Sequence, residues 1–271
     1  MTRTPRLTQP RAWATLALAS VTLAMPAQAT PRYPAPTTQS NPNLWLAEGG
    51  EAGEAGEVGI TANAADDTAY LADLSIIEGH MLAARDIYAK GHAETAAELT
   101  LHPQEEGTLA DLVTRITAHG AADVSPAIAA LTAAMQAKAP QADVDAALTA
   151  VQQAFAAAAA PEADAVRERF DAVVLLLKAA AGEYAGAIEN GAVTEEMAWH
   201  EAQAFTILAR ARLTDLAALP MSAKAAPKAL AALDDAATAF GDPMADTLLA
   251  GDPDILLTVA ARVELLASSV R

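Results

Sequence analysis

The sequence predicts an all-α protein, an antiparallel bundle of roughly seven to nine helices. Three observations carry that expectation. Alanine and leucine, the best helix formers, dominate from Asp67 onward, and strand-building runs of Val, Ile, Thr and aromatics are missing. Apolar residues there recur at spacings of three and four. Helix start and stop signals punctuate the text at short intervals, and short connections favour antiparallel neighbours.

Residues 1–29 read as a signal peptide. Arg3, Arg6 and Arg11 precede the apolar run Ala12 to Met25, and Ala27-Gln28-Ala29 supplies small residues for cleavage. The run is shorter than the ~20 residues a membrane span needs, so no span is expected in the mature chain. Residues 30–66 read as a leader, first rich in Pro and Thr, then in Gly and Glu, with Trp45 the odd residue in it. Glycine with repeated like charge has little to bury against its conformational entropy. Residues 67–271 form the expected bundle.

Within the bundle, Tyr70, Leu74, Ile77, Met81, Ala84 and Tyr88 make one apolar stripe, and Gly91 ends that helix. Pro103 marks the start of a helix running to His119, which places His102 at its N-cap. Ser125-Pro126 opens another. Pro161 precedes a long helix with the stripe Phe170, Val174, Leu177, Ala181 and Tyr184, which ends at Asn190-Gly191. Thr194 is the expected cap of the next helix, to about Leu219. Gly241-Asp242-Pro243 and Gly251-Asp252-Pro253 repeat one device, glycine closing a helix, aspartate capping and proline opening the next. Tyr88, Gly91 and His102 echo Tyr184, Gly191 and His200 at different spacings. Two tandem halves, 67–160 and 161–271, would explain the echo, and so would chance among Ala-rich helices.

Charge and composition exclude several function classes. The 271 residues hold 34 acidic and 17 basic side chains, a net of −17. The first 29 residues carry three of the basic and none of the acidic ones, so the remainder has 14 against 34, a net of −20. Such a chain repels nucleic acid, whose phosphates require Lys or Arg, and would attract cations or a basic partner. Cysteine is absent, which leaves His and carboxylates as the donors for any metal and favours iron, manganese, zinc or copper bound through N and O, with iron, copper or zinc the expected ion. No phosphate loop, nucleophile elbow, His-Glu-x-x-His or EF-hand pattern occurs. An enzyme is therefore not expected.

The candidate ligands are His80, His102, Glu105, His200 and Glu201. His80 flanks the main stripe on the line Asp73, Ile76, Ala83, Ile87, beside Gly79, so it sits at the core's edge as either a ligand or a structural histidine. Glu94, Glu98 and His102 are spaced by four and share a helix face. Capping by His102, with Glu105 and Glu106 in a first helical turn, explains that pattern without a metal. His200 shares a face with Met197 and Ile207. Glu201 lies among Ala198, Phe205 and Leu208, where a carboxylate is costly unless paired or coordinated. Arg210, Arg212 or a lysine are its candidate partners. His92 and His119 read as helix caps.

Two stretches resemble known families. Gly49 to Gly59 followed by Tyr70 to Glu106 resembles a family of uncharacterised exported bacterial helical proteins. The shared features are a Gly/Glu leader, a Gly-His helix (Gly79-His80), a Tyr-x-x-Gly stop (Tyr88 to Gly91) and a His-Pro element followed by Glu (His102-Pro103-Gln104-Glu105). The segment Tyr184 to Gly191, through Glu201 and Phe205, is similar to extracytoplasmic helical segments attached to FTR1-type iron permeases. The permeases' membrane-embedded carboxylate motif does not occur, so the chain is not itself such a transporter. The resemblance implies a periplasmic accessory that binds a metal cation or docks on a membrane metal-uptake system, most of all one for iron. The competing expectation is a non-catalytic structural or interaction module whose acidic surface meets a basic periplasmic protein, with no metal. A hydrolase reading from the His-x-x-Glu of imelysin-like proteins rests on His102 and Glu105 alone, too short a match to use.

Overall fold

The computed structural model describes residues 66–105 and 107–270. The expected signal peptide, the Gly/Glu leader and Trp45 lie outside them. The described residues form nine α-helices: α1 (Asp67–Ala89), α2 (Ala93–Glu105), α3 (Thr108–Ala118), α4 (Ser125–Gln136), α5 (Gln141–Ala159), α6 (Val166–Ala187), α7 (Glu196–Ala217), α8 (Ala226–Ala236) and α9 (Ile255–Ala267). None is long and apolar enough to cross a membrane. The all-α expectation is met.

The stripe of α1 is buried as its spacing predicts, with Tyr70, Leu74, Ile77, Met81 and Ala84 all inside. The flanking line is buried too, at Ile76, His80, Ala83 and Ile87. A helix covered all round is a core helix, and α1 packs against α2, α3, α5, α6 and α7. It ends in a Schellman motif, in which Gly91 N–H donates to the Tyr88 carbonyl and His92 N–H to that of Ile87.

Two apolar clusters fill the bundle. One joins α1 to α5 around Leu74, Met81, Leu112, Ile128 and Phe155. The other joins α6 to α9 around Phe170, Leu177, Trp199, Phe205 and Val259. Ile76 of α1 packs in the second cluster, while Ala172 of α6 and Ala204 of α7 pack in the first. The seam is thus made by a core helix against small side chains, which let the backbones approach closely. Each fully buried large side chain contributes about 1.5–3 kcal/mol.

Four local expectations need correction. Pro103 does not open a helix, because it lies in the last turn of α2, where its missing N–H removes only one bond. The break comes at Gly107, whose φ of 81° suits glycine, and Thr108 begins α3. His102 is therefore in the last turn of α2 rather than at an N-cap, and Glu105 ends that helix. Asn190 and Gly191 do more than stop α6. Their φ values of 53° and 77° make a two-residue turn between paired strands, Ile188 opposite Val193 and Glu189 opposite Ala192. Glu195, not Thr194, precedes α7. Gly241-Asp242-Pro243 opens no helix, since Asp242 accepts a bond from Met244 N–H in a local turn and the chain stays irregular up to α9.

That irregular stretch is tied down by aromatic side chains. Tyr184 Oη donates to the Ala239 carbonyl and accepts from Gly251 N–H, and Trp199 Nε1 donates to the Leu249 carbonyl. Phe240 packs edge-on against both rings.

Candidate metal centre

Three helices meet at one donor set. His80 of α1, His102 of α2 and Glu201 of α7 each present a ligand atom, all within 4.8 Å of one another. His80 Nε2 lies 3.3 Å from Glu201 Oε1. Ligands about 2.1 Å from one ion stand roughly 3–3.5 Å apart, so this pair is already spaced for a shared cation. His80 and Glu201 are buried, while His102 is only half-buried and forms the outer side of the site.

Local structure orients each donor. The Nδ1 of His80 is 2.9 Å from the Ile76 carbonyl one turn back. A carbonyl only accepts, so Nδ1 carries a proton there, and the ring is turned with Nε2 toward Glu201. A ring held by its second nitrogen in this way is the usual support for a metal-ligating histidine. Phe205 packs edge-on against the His80 ring, at a centroid distance of 5.4 Å. The close approach depends on Gly79, since a Cβ there would overlap the Phe205 ring. His102 stands where the exposed carbonyls of α2 favour positive charge.

The arginines near Glu201 in sequence are engaged elsewhere. Arg212 pairs with the buried Glu78, and Arg210 with Asp234. Burial raises the pKa of Glu78, against the opposing pull of Arg212. With those pairs formed, the partner that Glu201 meets from α1 is His80.

Two of the five expected ligands fall outside the set. Glu105 is exposed at the end of α2. His200 is fully buried on the neighbouring face of α7, edge-on to Trp199, with Glu196 Oε1 3.6 Å from its Nε2. Burial lowers its pKa, as does the charge of Lys90, while Glu196 and Asp86 oppose the shift. Lys90 itself pairs with Glu196.

A second group of donors, Asp67, His119 and Glu162, also lies within 4.8 Å. His119 caps α3 through its backbone, as the sequence suggested, yet its ring stacks on Tyr70 at 4.0 Å and 2° and its Nδ1 is 2.7 Å from Glu162 Oε1. Tyr70 Oη donates to the Ala158 carbonyl, and its pKa is pushed up to about 12 by burial and by the charge of Glu162. No motif announces this group, because its members are separated by 52 and 43 residues in the chain.

Comparison with known proteins meets this geometry at α7. Residues 159–270 match the iron permease-associated 4-helix bundle domain. The match spans α6, α7, α8 and α9, which pack in a ring, α6 on α7 and α9 and α8 on the same two. It supports the similarity to permease-associated helical segments and links this part of the chain to iron permease systems. Glu201 lies inside the matched region, His80 and His102 outside it. No curated protein and no solved structure matches the chain.

Proposed function

We propose that this chain is an exported, periplasmic accessory of a membrane iron-uptake system, and that it holds a divalent transition cation on His80, His102 and Glu201. The observation that carries the reading is the convergence of two imidazoles and one carboxylate from three helices, with the buried histidine pre-oriented by the Ile76 carbonyl. Two histidines and one carboxylate with open positions suit iron(II). The iron permease-associated match over α6 to α9 supports the same metal. The strongly acidic surface would concentrate cations near the half-buried His102 side.

In this reading the chain performs no covalent chemistry. Glu201 supplies the charge, His80 fixes the geometry from the core side, and His102, on the last turn of α2, is the ligand through which the ion comes and goes. Ligands must be deprotonated to bind, so capture releases protons and acid weakens it.

The test is anaerobic iron(II) binding by the full chain, with zinc titrated in parallel. One equivalent is expected at this site, with affinity there falling at least tenfold in His80→Ala, His102→Ala and Glu201→Gln. Binding unchanged in all three variants would sink the reading and favour an acidic interaction module without metal.

A further inference from the structure

We propose that Asp67, His119 and Glu162 form a second divalent-cation site, separate from that of His80. Asp67 is in the first turn of α1, thirteen residues before His80. At 1.5 Å per residue the two lie roughly 20 Å apart along the helix, so they cannot share an ion.

Three features go beyond chance crowding of polar groups. The His119 ring is clamped coplanar on Tyr70, which fixes the direction of its nitrogens. The Tyr70 hydroxyl is itself committed to the Ala158 carbonyl, so the clamp does not rotate. The N-cap bond of α1 is made by Asp66, accepting from Thr68 N–H, which leaves the Asp67 carboxylate to the cluster. Like charges then lie close together, since Asp67 and Glu162 are both half-buried and both within 4.8 Å of the same imidazole. Two arginines near the cluster are engaged elsewhere, Arg115 with Asp73 and Arg169 with the Ala163 carbonyl. A divalent ion would neutralise the two carboxylates in full, where a protonated His119 offsets only one of them. The last carbonyls of α3, beside His119, also favour positive charge.

The donor set differs in kind from the first. One imidazole and two carboxylates make a harder, more anionic site, suited to manganese(II), zinc(II) or iron(II) and without reason to select copper. It is also more open, since the His119 side chain is 13% and that of Glu162 18% exposed, against 3% for His80. Such a site exchanges ions with solvent more readily than one walled by α1 and α7.

The experiment is calorimetric titration of the full chain with zinc(II), joined by manganese(II) broadening of the His119 ring proton signals. Two equivalents are expected for the natural sequence. Glu162→Gln and His119→Ala should each remove one of them, while the double variant His80→Ala/Glu201→Gln retains the His119 site and its broadening. Asp67→Asn leaves the His119–Glu162 pair intact and should still weaken zinc at least tenfold, so it decides the matter where the other variants fold poorly. A single equivalent lost with Glu162→Gln and kept in the His80 double variant would support this site and sink the other. Zinc binding that is indifferent to Asp67, His119 and Glu162, or loss of all binding with His80, would show that His119 and Glu162 are only a structural pair and overturn the proposal.

Discussion

The Phe205 ring of α7 occupies the place where a side chain at position 79 of α1 would begin, and from there its edge bears on the His80 imidazole. Helix propensity alone would favour alanine at 79 by about 1 kcal/mol. The contact reverses that preference. Gly79→Ala should destabilise the fold by about 1–3 kcal/mol, the usual cost of overpacking, and lower cation affinity at His80. Urea unfolding reads the first effect and titration the second. Phe205→Leu in the same chain should recover most of the stability.

The pair between Glu78 and Arg212 ties α1 to α7 lower in the seam. Glu78 is buried, whereas the Arg212 side chain is 28% exposed. Arg212→Ala leaves a carboxylate in the core and should cost about 3 kcal/mol, near the low end for a broken buried pair. Replacing both, as Glu78→Leu/Arg212→Met, should restore most of that loss. The deficit of the single variant should narrow as pH falls through the raised pKa of Glu78, because the neutral carboxyl needs no guanidinium.

His200 predicts an acid-sensitive component of stability. Its folded pKa is held below the ordinary value of 6.5, burial being the largest cause. The unfolded chain therefore binds a proton before the folded one does. The contribution is full above about pH 6.5 and is lost as pH falls through the lower folded value. Chemical unfolding from pH 7.5 to 5 should show this loss, and His200→Leu should flatten it. An unchanged slope in that variant would assign the sensitivity to other groups.

A cation bound only by the folded chain raises its stability through mass action. At a free concentration one hundred times Kd the gain is about 2.7 kcal/mol. Zinc should therefore raise Tm, a chelator should reverse the rise, and the double variant His80→Ala/Glu201→Gln should lose the part that belongs to the first site.

Helical text was legible where one residue type carries one meaning. The period of α1 marked its buried stripe, and Gly91 marked its end. Pro103 misled because proline is tolerated in a last turn as well as a first, and only the position of Gly107 distinguishes the two. Asn190-Gly191 stops a helix or turns a hairpin with the same left-handed backbone, and the pairing of Ile188 with Val193 makes it a hairpin. Of the candidate ligands, Glu201 stood out as a carboxylate on an apolar face. Which histidines would meet it was hidden, because that depends on how α1 and α2 dock against α7. His119 was read from its neighbouring glycine, a backbone argument that is blind to where the ring points.

The first donor set draws on residues 80, 102 and 201, so its nearest two members in the chain are 22 residues apart and its outermost 121. No short peptide of this sequence contains the site, and no partly folded chain in which α7 has yet to dock can complete it. A polypeptide threaded through a membrane in extended form would travel without its ion. On the function proposed above, the ion is taken up only once α1, α2 and α7 have come together, which would make loading a record of completed assembly.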